Sequence, residues 1–148
     1  MSQVFQLTKV IPYFRTKLES LGYAEHLDEY DEDNIANTII DKTYSVRPGT
    51  LSSSRSNSLD FEWTFPIDVT LWFNGYGRPS DAVDGSLESI ENFLDVILDQ
   101  ANRFDIAGLR EIYPTNIDLS PLSVSNDTII KAKVGFVVVL HVVHNIDC

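Results

Sequence analysis

Residues 59–73 read Leu-Asp-Phe-Glu-Trp-Thr-Phe-Pro-Ile-Asp-Val-Thr-Leu-Trp-Phe, and this stretch decides the fold class. Side chains along a β-strand alternate between the two faces of a sheet, so its apolar and polar residues separate. One face receives Phe61, Trp63, Phe65, Ile67, Val69, Leu71 and Phe73. The other receives Asp60, Glu62, Thr64, Asp68 and Thr70. The alternation predicts a strand of a mainly antiparallel sheet with one buried face.

Pro66 lies in the middle of this strand. Proline has no backbone N–H and cannot donate to a ladder of hydrogen bonds. We therefore expect a bulge or a locally unpaired edge at Pro66.

Two segments carry apolar residues at helical spacing. The first extends from Leu7 to Leu21 with an irregular start near Pro12, and Gly22 is placed to end it. The second extends from about Asp81 to Phe104, with apolar residues at Val83, Leu87, Ile90, Leu94, Ile97 and Ala101. Because the widest apolar surfaces should cover each other, we expect Leu87, Leu94 and Ile97 to pack against Phe61, Trp63 and Phe65.

Three further strands are predicted around these elements. They lie within residues 35–46, within residues 109–122, where Pro114 and Pro121 make the strand irregular, and at residues 127–143. The serine-rich segment Arg47 to Ser58 is predicted to be a long, flexible loop. The expected architecture is one α+β domain, residues 1–148, with a mainly antiparallel sheet of about four strands and two helices packed on one face.

The last strand changes character along its length. Lysines alternate with apolar residues in its first half, whereas both faces are apolar from Phe136 onward. Such a strand is either central in its own sheet or covered by another subunit. The candidate subunit interface consists of Phe136, Val137, Val138, Val139, Leu140, Val142 and Val143.

Charge is the clearest functional signal in the composition. Eleven Lys and Arg oppose 22 Asp and Glu, which gives a formal net charge of −11. This charge opposes binding to nucleic-acid phosphates. It either confers solubility or lines a passage through which a polyanion slides without binding.

Two groups of charged residues are candidates for contact with partners. The second helix places five carboxylates on its outer side, which forms either a solvated face or an acidic lumen or docking face: Asp84, Glu88, Glu91, Asp95 and Asp99. The segment 47–58 carries Arg47 and Arg55, which could reach an acidic partner ring.

No catalytic, cofactor or metal motif is present. The only cysteine is Cys148, which excludes an intrachain disulfide and a thiolate zinc cluster. No serine stands in a Gly-x-Ser-x-Gly pattern, and His141 and His144 do not form a zinc-protease motif. No apolar run is long enough to span a bilayer and the first residues do not resemble a secretory signal, so we expect assembly in the cytoplasm and no membrane partner.

The order of these elements resembles that of the tail terminator proteins of long-tailed bacteriophages. The resemblance rests on the N-terminal helix, the segment Lys42-Thr-Tyr-Ser-Val-Arg-Pro-Gly49, the strand ending Asp68-Val-Thr-Leu-Trp-Phe73, the helix from Leu87 to Phe104 and the apolar last strand. It implies a non-enzymatic virion protein without cofactors that forms a ring, usually a hexamer, on the tail tube. Such a ring stops polymerisation of the tube protein, joins the neck or head-completion proteins, and lets DNA pass through its lumen.

Two other functions remain open. A neck or head-tail connector ring has a similar small α+β fold. An enzyme or ligand-binding α+β domain would instead need a deep pocket with convergent polar groups.

Overall fold

The computed structural model describes residues 7–25, 42–55, 60–74, 79–99, 106, 108–124 and 127–143. A 3₁₀ turn, Leu7–Lys9, leads into helix α1, Val10–Ser20, and the second helix, α2, spans Pro79–Ile97. The strands are β1 (Ala24–Glu25), β2 (Thr43–Pro48), β3 (Ser52–Arg55), β4 (Asp60–Asn74), β5 (Leu109–Val124) and β6 (Asp127–Val143).

The described strands form one sheet in the order β1-β2-β4-β6-β5, and β3 pairs with β4 on the same side as β2. Every pairing is antiparallel except that of β1 with β2. The predicted α+β class is confirmed, but the sheet has six described strands rather than about four. The two additional strands are short: β1 has two residues and β3 four, too few for an alternating apolar pattern.

The segment predicted as a loop at 47–58 is partly strand. Arg47 and Pro48 belong to β2, and Ser52–Arg55 form β3 along the edge of β4. Serines can occupy such a position because Ser52, Ser53 and Ser54 are exposed and no core has to be built there. Residues 56–58 lie outside the described part of the chain.

Pro66 of β4 lies opposite the gap between β2 and β3, which both pair with the same edge of β4. Pairing of β2 with β4 ends at Ile67, and pairing of β3 with β4 begins at Thr64. The Pro66 carbonyl accepts a hydrogen bond of 2.8 Å from the Gly49 N–H, while no N–H is required from Pro66 on that edge. The expected interruption of the strand pairing at Pro66 is confirmed, although its carbonyl remains hydrogen-bonded.

The helix α1 ends as its glycine predicted. Gly22 has φ +93°, and its N–H donates to Glu19 O at 3.1 Å. The next N–H, that of Tyr23, donates to Leu18 O at 3.1 Å. These two bonds form a Schellman motif, in which glycine supplies the left-handed residue without steric cost.

The end of α2 differs from the prediction, because the helix stops at Ile97 rather than near Phe104. The Tyr13 hydroxyl of α1 donates to the Ile97 carbonyl at 2.8 Å. This bond satisfies a terminal carbonyl that has no partner within its own helix. The apolar pattern misplaced the boundary because Leu98 extends the pattern past the last helical residue.

Both helices pack on the same face of the sheet, around Phe136 of β6. The Phe136 ring lies 5.2 Å from Phe14 of α1 and 5.6 Å from Phe93 of α2, measured between ring centroids. All three side chains are at most 1% exposed. The remaining core-facing positions of β4 and β6 surround this contact.

The predicted packing of α2 is only partly correct. Ile97 is buried and Leu94 is half-buried against the core, but Leu87 is 42% exposed. Ile90 and Phe93 take the central positions instead, since α2 is rotated so that one border of its wide apolar stripe remains outside. On β4, Phe65 is buried and Trp63 half-buried, whereas the Phe61 side chain lies outside the described part.

Replacing Phe136 by alanine should lower the free energy of unfolding by about 3 to 5 kcal/mol, because the change removes the ring that both helices contact and leaves a cavity. The matched control is Leu87→Ala on the exposed border of α2, for which we expect a change within about 0.5 kcal/mol. Urea denaturation followed by circular dichroism measures both values. Equal losses in the two variants would contradict this packing.

A buried tyrosine joins the first helix to the sheet edge. The Tyr44 hydroxyl lies 3.2 Å from Glu19 Oε1 and 3.3 Å from Glu25 Oε2, and it can donate to either carboxylate. Arg15 Nε pairs with Glu25 Oε2 at 2.8 Å. Burial of Tyr44, followed by the negative charges of Glu25 and Glu19, raises the pKa of the Tyr44 hydroxyl well above its ordinary value.

This pKa shift predicts a loss of stability at alkaline pH. Below about pH 10 the tyrosine is neutral in both folded and unfolded chains, so the stabilisation is fully present. As pH rises from there toward the folded-state pKa, the unfolded chain ionises first and the stabilisation is lost. The stability difference between wild type and Tyr44→Phe, measured by denaturation between about pH 8 and pH 11.5, should therefore stay constant and then shift against the wild type above about pH 10. A difference independent of pH over this range would contradict the assignment.

Candidate functional site

The five carboxylates predicted on the outer side of α2 are all exposed. We call Asp84, Glu88, Glu91, Asp95 and Asp99 the acidic strip. The first four lie within α2 at helical spacing, and Asp99 follows two residues after its end. Ile90, Phe93 and Ile97 anchor the inner side of the helix in the core, so the four helical carboxylates of the acidic strip face away from the sheet. Asp99 instead lines a depression between the end of α2 and β5.

An exposed apolar border runs beside the acidic strip. Val83 is 37%, Leu87 42% and Leu98 36% exposed, although helical spacing places them next to the buried residues. Their spacing in the sequence predicted core positions, and the prediction is wrong for these three. The width of the apolar stripe indicated that some of its residues would be exposed, because the stripe is wider than the surface that one helix can bury against a sheet.

Part of the candidate subunit interface is buried in the protein's own core. Phe136, Val138 and Leu140 point to the helix side of β6 and are at most 1% exposed, so they belong to the protein's own core. Both faces of this segment are apolar because β6 is a central strand between β4 and β5. It therefore needs no second subunit to cover its helix side.

The opposite face of β6 remains a candidate for subunit contact. We call the face of the sheet opposite α1 and α2 the open face, although Thr70, Trp72 and Ile129 are buried there. Val137 is half-buried there, and its cross-strand neighbours are Pro66 on β4, half-buried, and Tyr113 on β5, 42% exposed. Val139 lies on the same face but is only 6% exposed. Val142 and Val143 belong to β6, and their side chains lie outside the described part.

The two candidate arginines lie on separate strands along one edge of β4. Arg47 is exposed on β2 and is paired in register with Asp68, which is also exposed. Directly opposed residues of an antiparallel pair are close enough for their charges to attract. Arg55 is paired in register with Phe61, and its side chain lies outside the described part. Arg47 therefore lies on a strand beside a carboxylate, and not in a projecting loop as predicted.

Two depressions lie near the start of β5. One, of about 240 Å³, separates the end of α2 from β5 and is lined by Tyr13, Ile97, Leu98, Asp99, Leu109, Arg110, Glu111 and Ile112. A second, wider depression of about 520 Å³ is lined by Gly108, Leu109, Arg110 and His141. The Arg110 guanidinium, which borders both, forms an ion pair with Glu62 of β4. Among the described residues that line these depressions, the one strong cation, Arg110, is thus engaged within the protein.

Within the described residues, no group of three or more His, Cys, Asp or Glu side chains is arranged to hold a metal ion. None of the described helices combines the length and apolarity needed to cross a membrane. Comparison of the chain with protein-family models and with curated proteins found no match.

Proposed function

We propose that this chain is a tail terminator: a structural virion protein that forms a ring on the head-proximal end of a phage tail tube. The resemblance to that family favours a hexamer. The observation that carries the proposal is the acidic strip, which places four exposed carboxylates on one side of α2 and a fifth, Asp99, just beyond its end. Repeated around a closed ring, such a strip produces a strong negative potential. That potential suits either the wall of a DNA passage or a docking face for a basic partner.

Contacts between neighbouring subunits are assigned to the open face. Pro66, Val137 and Tyr113 form a cross-strand apolar row there that is only partly covered. A head-to-tail contact through this row would generate a ring if its rotation closes. Each subunit carries a formal charge of −11, so added salt should strengthen the association by screening repulsion.

In the described part of the chain, the two depressions near β5 support this role more than a ligand-binding or enzymatic one. Small-molecule sites commonly occupy about 300 to 1,000 Å³ and hold convergent polar groups. The depression beside α2 is smaller, at about 240 Å³, and in the wider one Arg110 is already paired with Glu62. A neck or connector ring would use the same surfaces at another position in the particle.

In this role the protein assembles in the host cytoplasm and becomes part of the virion. It ends polymerisation of the tail tube protein and presents its other side to a neck or head-completion protein. DNA passes through the lumen without sequence-specific binding, because like charges disfavour adhesion to the wall.

The test is polymerisation of the cognate tail tube protein with and without this chain. We expect added protein to shorten the tubes and to form a cap at one end, visible by negative-stain electron microscopy. Tubes of unchanged length and bare ends at a molar excess of the protein would refute the proposal.

A charge variant tests the predicted contact with the tube ring. Replacing Arg47 and Arg55 by serine should leave the fold intact and weaken capping most at low salt, where surface charges act furthest. Lys9→Ser, which removes an exposed cation from the helix side, is the matched control and should cap as the wild type does. Equal capping by all three proteins at every salt concentration would exclude Arg47 and Arg55 from the contact.

A further inference from the structure

In the described part of the chain, the helix layer covers only part of the sheet. α1 packs on β2, and α2 packs on β6 and β4. Helices packed side by side lie about 8 to 10 Å apart, whereas strands are spaced by about 4.8 Å, so two helices cannot cover five strands side by side. Among the described elements, the strand that the helices leave over is β5, at the sheet edge beyond β6.

The chain direction places α2 alongside this uncovered strand. β4 and β5 both pair antiparallel to β6, and α2 connects them, so α2 runs in the same direction as β6 and opposite to β5. Leu98 at the end of α2 borders the same depression as Leu109 at the start of β5. Val83, near the start of α2, therefore lies toward the later part of β5.

Both walls of the resulting groove are apolar. The α2 wall carries the exposed border Val83, Leu87 and Leu98. The β5 wall carries Ile117, which is 41% exposed and pairs with the core residue Val134, so it points to the helix side. The half-buried residues Ile112 and Leu119 continue this wall, and we call the whole feature the α2–β5 groove.

Charge selects the kind of partner that fits. The acidic strip lies along the outer rim of the α2 wall, so a ligand in the groove meets carboxylates on that side. A second copy of this chain does not match in the described helices. α2 would bring its own carboxylates against the rim, and the exposed side of α1 is mostly polar, with Lys9, Arg15, Thr16 and Glu19.

We propose that the α2–β5 groove binds an amphipathic helix of another protein, with an apolar side that enters the groove and Lys or Arg residues that face the acidic strip. The bound helix would become the third helix of the layer and cover β5. Its apolar side would bury Leu87 and Ile117, and its cations would lie near Glu91 and Asp95. This site does not depend on ring formation or on a position in a phage tail.

Synthetic peptides of about 18 residues, long enough for five helical turns, test the proposal directly. The probe is a fluorescein-labelled Leu/Lys peptide with one apolar side. A Leu/Glu peptide of the same pattern tests the charge requirement, and a scrambled Leu/Lys peptide without an apolar side tests for charge attraction alone. Fluorescence anisotropy measures binding to the full chain at low and moderate salt.

Two variants locate the binding. Replacing Val83 and Leu87 together by serine should weaken the Leu/Lys peptide about tenfold or more, because two apolar contacts are lost. Tyr113→Ser is the matched control, since Tyr113 and Leu87 are equally exposed at 42% but lie on opposite faces of the sheet. This control should bind within about twofold of the wild type, less than the effect of one lost apolar contact. Circular dichroism checks that both variants are folded.

The contrary outcomes are equally specific. Absence of binding by the Leu/Lys peptide, or equal binding by the Leu/Glu or scrambled peptide, would overturn the proposal. Equal weakening by Tyr113→Ser and by the double variant would place the binding elsewhere and overturn it as well. If sedimentation shows that the double variant abolishes self-association of the wild-type chain, the occupant is a second copy and the assigned partner is wrong.

Discussion

The contact of Phe136 with Phe14 and Phe93 holds this molecule together. It is made at the centre of β6, the strand that connects the two long ladders of the sheet, with β4 on one side and β5 on the other. Both helices therefore depend on the same position of one strand for their place on the sheet. Once they are centred there, the edge strand β5 is left beyond α2, and the outer side of α2 faces solvent with its carboxylates.

The parts of the fold with a strong periodic signal could be predicted from the sequence. Two of the three long strands, β4 and β6, were identified with nearly correct bounds, because fifteen and seventeen residues of alternating or apolar character fit a strand and do not follow helical spacing. Gly22 marked the end of α1 for a similarly local reason. β1 and β3 could not be predicted, because such short edge strands are defined by their pairing with β2 and β4 rather than by their own residues.

The candidate surfaces were predictable only in part. Exposure of the acidic strip followed from helical spacing alone. The role of Phe136, Val138 and Leu140 did not, because an apolar strand has the same sequence pattern whether its own helices or another subunit cover it. The exposed border of α2 was missed for the converse reason: Val83 and Leu87 share the spacing of core residues, and only the placement of two helices on a wider sheet leaves them outside.

A ring of these subunits would combine surfaces of different character. The open face offers a modest apolar row around Val137, whereas the helix side offers the acidic strip. Cryo-electron microscopy of the assembled particle tests this account most directly, because it shows the number of copies and the surface that each turns to the axis. We expect a closed ring of this chain at the end of the tail tube, with DNA passing through a lumen that does not bind it. A single copy bound to the outside of the tube, or a channel of basic residues in contact with DNA, would contradict the account.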